Sequence, residues 1–253
     1  MRLSLLGVDG GVIPGCQLPC FLLNDNIVID CGSLAYALAL EEQLKIEHIF
    51  ISHAHLDHVC TLPFLANNIM DNRGGPVPVY GCVQTLESLK RHLFNDILWP
   101  DFTQIPSADQ PILRLIPLVP EVPVTVGGLK VSPLPVNHTI ATMAFIVEEK
   151  GKAVLIGGDT GPTDRLWEVC NTHPDLRAVF METSFPDRLS TVAKLSGHLT
   201  PTLLGRELQK MTRPIPVHIM HLKPAFREEI LEELFSLGDS RIQVAEAEKY
   251  YEW

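Results

Sequence analysis

Three imidazoles and a carboxylate fall within six residues at His53-Ala54-His55-Leu56-Asp57-His58. Packing does not explain that density of metal-binding groups. The apolar Ile49-Phe50-Ile51 ahead of it reads as a short buried strand. If residues 53 to 55 keep extended geometry, His53 and His55 project to the same side. Asp57 and His58, at the following turn, then address a neighbouring point. This suits two metal ions, with two ligands offered to each. Neutral imidazole together with carboxylate suits zinc first, with manganese or iron as alternatives.

Further residues fit the role of completing such a site. His138 lies in Pro135-Val136-Asn137-His138-Thr139, and Asp159 in the turn Gly157-Gly158-Asp159-Thr160-Gly161. His198 lies in Ser196-Gly197-His198-Leu199-Thr200, and His221 in Met220-His221-Leu222-Lys223-Pro224. Each falls at or just beyond a strand end or in a turn, where a rigid scaffold holds functional groups. Glu182 follows an apolar strand in Phe180-Met181-Glu182-Thr183 and can orient His198 by accepting a ring hydrogen bond. His48, His173 and His218 read as structural; in a strand, His218 faces away from His221.

These residues need elements to position them. Asn24-Asp25-Asn26, Gly127-Gly128 and Lys150-Gly151 separate apolar runs and read as hairpin turns. Helices are expected over 34–45, 162–171, 201–211 and 225–236, with Thr200 capping the third and Pro201 at its first position. Pro63 and Asn67-Asn68 are expected to cut short the helix after the histidine cluster. Strands mixed with helices argue for an α/β architecture of packed layers. The segment at about 90–120 departs from this regularity. It carries Trp99, Phe102 and prolines at 100, 106, 111, 117 and 120, which favour a stiff extended loop. Its aromatics could stack a nucleobase over the metals, pack the loop down, or form the contact of a homodimer.

The chain of 253 residues is 46% hydrophobic, enough to bury one sizeable core, so 1–253 is expected to form a single domain. Met1–Gly7 is too short an apolar run for a secretory signal and reads as a first strand. No segment approaches the roughly 18 apolar residues that span a bilayer. Cysteines at 16, 20, 31, 60, 82 and 170 form no CxxC pair, which points to reduced thiols and a cytoplasmic chain. Cys60 is expected to act as a small buried hydrophobe. A net charge of −10 without a basic run argues against a nucleic acid polymer as partner. A small anionic substrate is compatible, because divalent cations supply positive charge where the phosphate sits.

The ordered segments SHAHLDH, WPDFTQIP (99–106), VNHT, GGDTGPTDRLWE, METSFPDRLSTVAKLSGHLTP and MHLKP resemble the metallo-β-lactamase superfamily. Within it, they are more closely similar to the class II 3′,5′-cyclic-nucleotide phosphodiesterases. HxHxDH marks the superfamily, and the remaining blocks narrow it to that branch. The resemblance implies a four-layer αββα sandwich, two mixed sheets with helices outside, and metals at one edge between the sheets. It also implies that one metal takes His53, His55 and His138, the other Asp57, His58 and His221, and that Asp159 bridges them. The catalytic set is then His198, Glu182 and Asp57; Trp99 and Phe102 of the aromatic loop, and Thr160, whose hydroxyl can equally bond backbone, are the candidate substrate contacts. The nucleophile implied is a hydroxide bridging ions ~3.5–4 Å apart. His198 protonates the leaving alkoxide, a contribution of roughly 10²–10⁴ in rate. Cyclic AMP or cyclic GMP would yield the 5′-monophosphate. A tRNA 3′-end endonuclease would use nearly the same ligands, but with a basic or glycine-rich arm that this acidic chain does not show. A non-catalytic metal-binding module should have lost ligands.

Overall fold

The computed structural model describes residues 1–71 and 74–253. Its strands are β1 (Arg2–Gly7), β2 (Cys20–Leu23), β3 (Ile27–Ile29), β4 (His48–Phe50), β5 (Val77–Gly81), β6 (Leu113–Pro117), β7 (Val124–Val126), β8 (Leu129–Val136), β9 (Thr142–Glu149), β10 (Lys152–Ile156), β11 (Leu176–Glu182), β12 (Val217–Met220), β13 (Ile242–Val244) and β14 (Tyr250–Glu252). They form two seven-stranded mixed sheets, ordered β14-β1-β2-β3-β4-β5-β6 and β13-β12-β11-β10-β9-β8-β7. The chain therefore builds one sheet, then the other, and returns with β14 to pair antiparallel with β1.

Period-two alternation divides each strand between two cores. Phe21 and Leu23 of β2, with Ile27 and Ile29 of β3, face Phe145, Val147, Ile156 and Phe180 of the other sheet. Cys20, Leu22 and Val28 point outward to Leu34, Leu62, Leu65 and Leu86 of the covering helices. In β11, Ala178 and Phe180 enter the inter-sheet core, while Val179 and Met181 meet Trp167, Leu204 and Ile230 on the opposite face. Sheets covered on both faces explain why the strands read as nearly unbroken apolar runs. The layers are αββα, as the resemblance implied.

The three hairpin turns form where the sequence places them, with left-handed backbone at Asn24, Asp25, Gly127, Gly128, Lys150 and Gly151. The helix Pro201–Leu208 opens with the Thr200 side chain accepting from the Leu203 amide. Two expectations are met only in part. Residues 34–45 hold two short helices, Leu34–Ala37 and Leu40–Gln43, because Leu38 and Ala39 are extended. Glu42 restarts the second by accepting from the Ala39 amide at 2.9 Å. After the histidine cluster the helix Leu56–Val59 is only four residues long and ends ahead of Pro63, but Pro63 then lies in the first turn of a second helix, Leu62–Ile69, which runs through Asn67-Asn68 before it stops. Between the helix Val83–His92 and β6, the proline-rich segment is an irregular loop, and Pro117 sits on the edge strand. No helix of the described residues is long and apolar enough to cross a membrane.

Candidate metal centre

The strand directions decide where the polar residues meet. β8, β10, β11 and β12 all run the same way, since β8 and β10 flank β9 antiparallel and β10, β11 and β12 pair in parallel. His138 lies just past β8, Asp159 just past β10, Glu182 ends β11 and His221 follows β12. From the facing sheet, the parallel strands β3 and β4 deliver Asp30 and the histidine cluster. Residues up to 168 positions apart, His53 and His221, thus converge at one edge between the sheets. Ligands commonly bind outside the carboxyl ends of such strands.

Three donor groups result among the described residues: two share Asp159, and a third, Glu182, His198 and His221, shares His221 with the second. His53, His55, His138 and Asp159 each offer a ligand atom within 4.8 Å of the others, and so do Asp57, His58, Asp159 and His221. In the first group, His55 Nδ1 lies 3.0 Å from His53 Nε2 and 3.1 Å from His138 Nε2. Three ring nitrogens aimed at one another cannot all be satisfied by hydrogen bonds, but their lone pairs suit a shared cation. In the second, Asp159 Oδ2 lies 3.4 Å from both His58 Nε2 and His221 Nε2, and Asp57 Oδ2 is 3.3 Å from His221 Nε2. His58 Nε2 and Asp159 Oδ1 are buried without a hydrogen-bond partner. Buried orphans of this kind, one imidazole and one carboxylate, fit divalent metal ions.

The outer ring nitrogens are held by the protein. His58 Nδ1 meets Asp30 Oδ2 at 2.7 Å, His53 Nδ1 meets Ser52 Oγ at 3.0 Å, and His138 Nδ1–H donates to Gly197 O at 2.9 Å. Such partners turn the other ring nitrogen toward the metal. A Cβ on Gly197, whose φ is +67°, would stand 2.9 Å from His138 Nδ1. His221 itself has φ +61°, a conformation uncommon outside glycine. Its amide donates to Val8 O, and the Gly10 amide donates to Leu222 O, so the loop after β1 clamps it. Asp30 and Ser52 were not among the residues singled out from the sequence. An acidic residue ending a strand beside the histidine strand was the available signal for Asp30.

Electrostatics follow from this packing. Burial lowers the pKa of His53, His55 and His138, favouring the neutral, metal-binding form. Burial alone would raise Asp57 and Asp159. The hydrogen bond to His221 and the charge on His58 hold Asp57 below the usual range, and His221 and His58 do the same for Asp159. Both carboxylates therefore stay ionised.

Beside the two groups that share Asp159, His198 Nδ1–H donates to Glu182 Oε1 at 2.6 Å. Its ring stacks on His221 at 5.5 Å and stands edge-on to His138 at 5.0 Å. Nε2 is left as the position that can carry a proton to or from a ligand.

None of the proposed substrate contacts offers a free side chain: Phe102 is packed into the core under the helices and Trp99 against it, and Thr160, though beside Asp159 with its amide on Glu182, is buried. Phe102 is only 3% exposed, packed in the core beneath the helices of the first sheet, and cannot offer a face to a base. Trp99 is half-buried against the same core, edge-on to Phe64 at 5.0 Å. The apolar interior outcompetes solvent for both rings, so the loop is packed down. Thr160 is buried, and its hydroxyl donates to Gly161 O at 2.8 Å. Phe102→Ala is accordingly expected to cost about 3–5 kcal/mol of stability with KM unchanged. Denaturant unfolding and substrate titration check this; a raised KM at unchanged stability would restore base stacking. Of the residues set aside, His218 stacks on Phe180 at 4.8 Å and His173 pairs with Glu148 at 3.3 Å, both away from the cluster. Cys60 is half-buried, its thiol donating to Gly32 O at 3.1 Å.

Comparisons with known proteins agree with this architecture. The family model described as Beta-lactamase superfamily domain matches residues 25–241. The probable 3′,5′-cyclic-nucleotide phosphodiesterase of Yersinia pestis is 28% identical, the match covering 94% of this chain and 84% of that protein. Unliganded yeast PDE1 superposes with a TM-score of 0.81 at 21% identity, covering 98% of each chain. The short form of human tRNase Z superposes at 0.71 and 20% identity, over 100% of this chain and 99% of that one. With the HxHxDH run, the shared aspartate and the two facing sheets in place, the chain belongs to the β-lactamase superfamily, as a metal-dependent hydrolase.

Proposed function

We propose that the protein is a dinuclear-metal phosphodiesterase that hydrolyses 3′,5′-cyclic nucleotides to 5′-monophosphates, with zinc as the ion at both positions. One observation carries the reading: a carboxylate-held imidazole, His198, stacks on His221 beside two donor groups joined by Asp159. Two cations suit the phosphoryl group, and a proton donor suits an alkoxide too basic to leave unaided. The names of relatives, including the Yersinia pestis phosphodiesterase, support the same substrate class.

In this reading His53, His55, His138 and Asp159 hold one ion, and Asp57, His58, His221 and Asp159 the other. Bound there, the ions would lower the pKa of water toward neutrality and draw charge from the phosphoryl oxygens. Asp159 and Asp57 remain anionic and fix the ligand spacing. Glu182 holds His198 through Nδ1, so that Nε2–H can be given to the departing O3′. Water oxygen forms the new bond to phosphorus, the P–O3′ bond breaks, and the ring opens to a 5′-monophosphate and a free 3′-hydroxyl.

A tRNA 3′-end endonuclease is the second reading, favoured by the superposition on human tRNase Z. The net charge of −10 weighs against a polyanionic partner. Turnover of cyclic AMP, cyclic GMP, a 2′,3′-cyclic nucleotide, bis-p-nitrophenyl phosphate and precursor tRNA by metal-quantified protein separates the readings. Release of 5′-AMP or 5′-GMP is the expected result. Cleavage of precursor tRNA with none of the cyclic nucleotides turned over overturns the substrate assignment.

A further inference from the structure

Ser184 sits two residues beyond Glu182 and is 0% exposed, yet its hydroxyl touches three functional side chains. Ser184 Oγ is 2.7 Å from Glu182 Oε2, 2.9 Å from His221 Nδ1 and 3.2 Å from His198 Nδ1. Proton accounting assigns the directions. Glu182 carboxylate only accepts, so the serine O–H donates to it. The single Nδ1 proton of His198 goes to Glu182 Oε1, the shorter contact at 2.6 Å. The serine oxygen is then free to accept from His221 Nδ1–H, which leaves the His221 Nε2 lone pair facing Asp57 and Asp159.

We propose that Ser184 is a positioning residue that joins the proton donor to the metal centre. Directly for His198 and through Ser184 for His221, the one carboxylate of Glu182 sets the ring orientation and tautomer of both. The relay runs His221 Nδ1–H to Ser184 Oγ, Ser184 O–H to Glu182 Oε2, and His198 Nδ1–H to Glu182 Oε1. Amides of Thr160 and Leu199 donate to the same carboxylate at 3.0 and 3.3 Å, fixing it from both sides. This inference rests on the reading of His221 as a ligand and His198 as the acid.

The alternative tautomer explains why the hydroxyl matters. Without it, His221 Nδ1 has no acceptor among the described residues, in a buried site. The ring gains more by moving its proton to Nε2, which lies 3.3 Å from Asp57 Oδ2 and 3.4 Å from Asp159 Oδ2. That proton occupies the nitrogen that must bind metal. Removing the outer partner of a ligating histidine typically weakens binding by about 10–100-fold. The loss should fall on the ion held by Asp57, His58 and His221. The other ion, held by His53, His55 and His138, has its own partners at Ser52 and Gly197.

The test is zinc titration of metal-stripped wild type, Ser184→Ala and Ser184→Thr against a competing chelator, with thermal unfolding alongside. Ser184→Ala is expected to weaken one of two sites by about 10–100-fold, and Ser184→Thr, which keeps the hydroxyl, to restore it. At saturating zinc, Ser184→Ala should still show kcat on a cyclic nucleotide, whose leaving group is an alkoxide, reduced by about 10-fold with KM unchanged, and far less loss on bis-p-nitrophenyl phosphate. Equal weakening of both sites, or two wild-type affinities in Ser184→Ala, overturns the proposal. Should Ser184→Ala fail to fold, Ser184→Cys keeps the shape with only weak hydrogen bonding and must show the same single-site loss. A wild type that binds fewer than two ions would instead bring down the dinuclear reading.

Discussion

Replacing His198 with Ala is expected to lower kcat by roughly 10²–10⁴ while both metal positions stay loaded. The ring contributes no atom to either of the two Asp159-sharing donor groups, although it stands against His138 and His221 from each. Its cost should therefore appear in chemistry and not in metal content. Metal analysis of the purified variant, with kcat on a substrate whose leaving group is an alkoxide, checks this. An activated p-nitrophenyl ester, whose leaving group needs little protonation, should lose far less. Loss of metal from the variant would instead place His198 among the ligands. The same dyad gives a pH signature. Burial opposes charging His198, but the Glu182 charge and hydrogen bond outweigh it and raise its pKa. An acid must be protonated, so kcat/KM falls as pH rises through that raised value. Glu182→Gln removes the negative charge, and the falling limb should move to lower pH.

Asp159→Ala is expected to abolish dinuclear occupancy. The residue is 1% exposed and common to both donor groups, so truncation takes one ligand from each. It also removes the only carboxylate close to His53 Nε2, at 3.7 Å among the described residues. Two sites of concentrated imidazole then lose the anion that offsets the positive charge of two ions. The fall in affinity should exceed the ~10–100-fold typical of losing an outer hydrogen-bonding partner. Equilibrium dialysis with zinc reads the stoichiometry, and Asp159→Asn, nearly isosteric but neutral, separates charge from shape. Two ions bound at wild-type affinity in Asp159→Ala would refute its bridging role.

Much of the candidate site was legible in the sequence because its chemistry is local. HxHxDH puts metal-binding atoms on one short stretch, and an apolar strand before Asp159, Glu182 or His221 announces a rigid end at which a polar residue is exposed to the site. The hairpin turns were equally readable, since only a few residue types adopt left-handed backbone without strain. For Phe102 and Trp99 the sequence left base stacking, packing and a subunit contact open, for the opposite reason. An aromatic in a proline-rich loop looks available until the packed core is seen to cover it. Ser52 and Ser184 escaped notice because a single polar residue carries no pattern, while the signal for Asp30, an acidic residue ending an apolar strand, went unread.

By itself, the sequence determined the types of candidate ligand, their order along the chain, strands mixed with helices in packed layers and the excess of negative charge; the two-sheet layering was implied only by the resemblance. These follow from residue chemistry and from a side-chain period of two. Only the tertiary structure decided which nitrogen of each ring faces the metals, because that depends on what the other nitrogen meets. Asp30, Gly197 and Ser184 come from different elements and reach their histidines only once the carboxyl ends of β3, β4, β8, β10, β11 and β12 meet at one edge. A tautomer is set by an acceptor at hydrogen-bond distance, and no spacing along the chain records that distance.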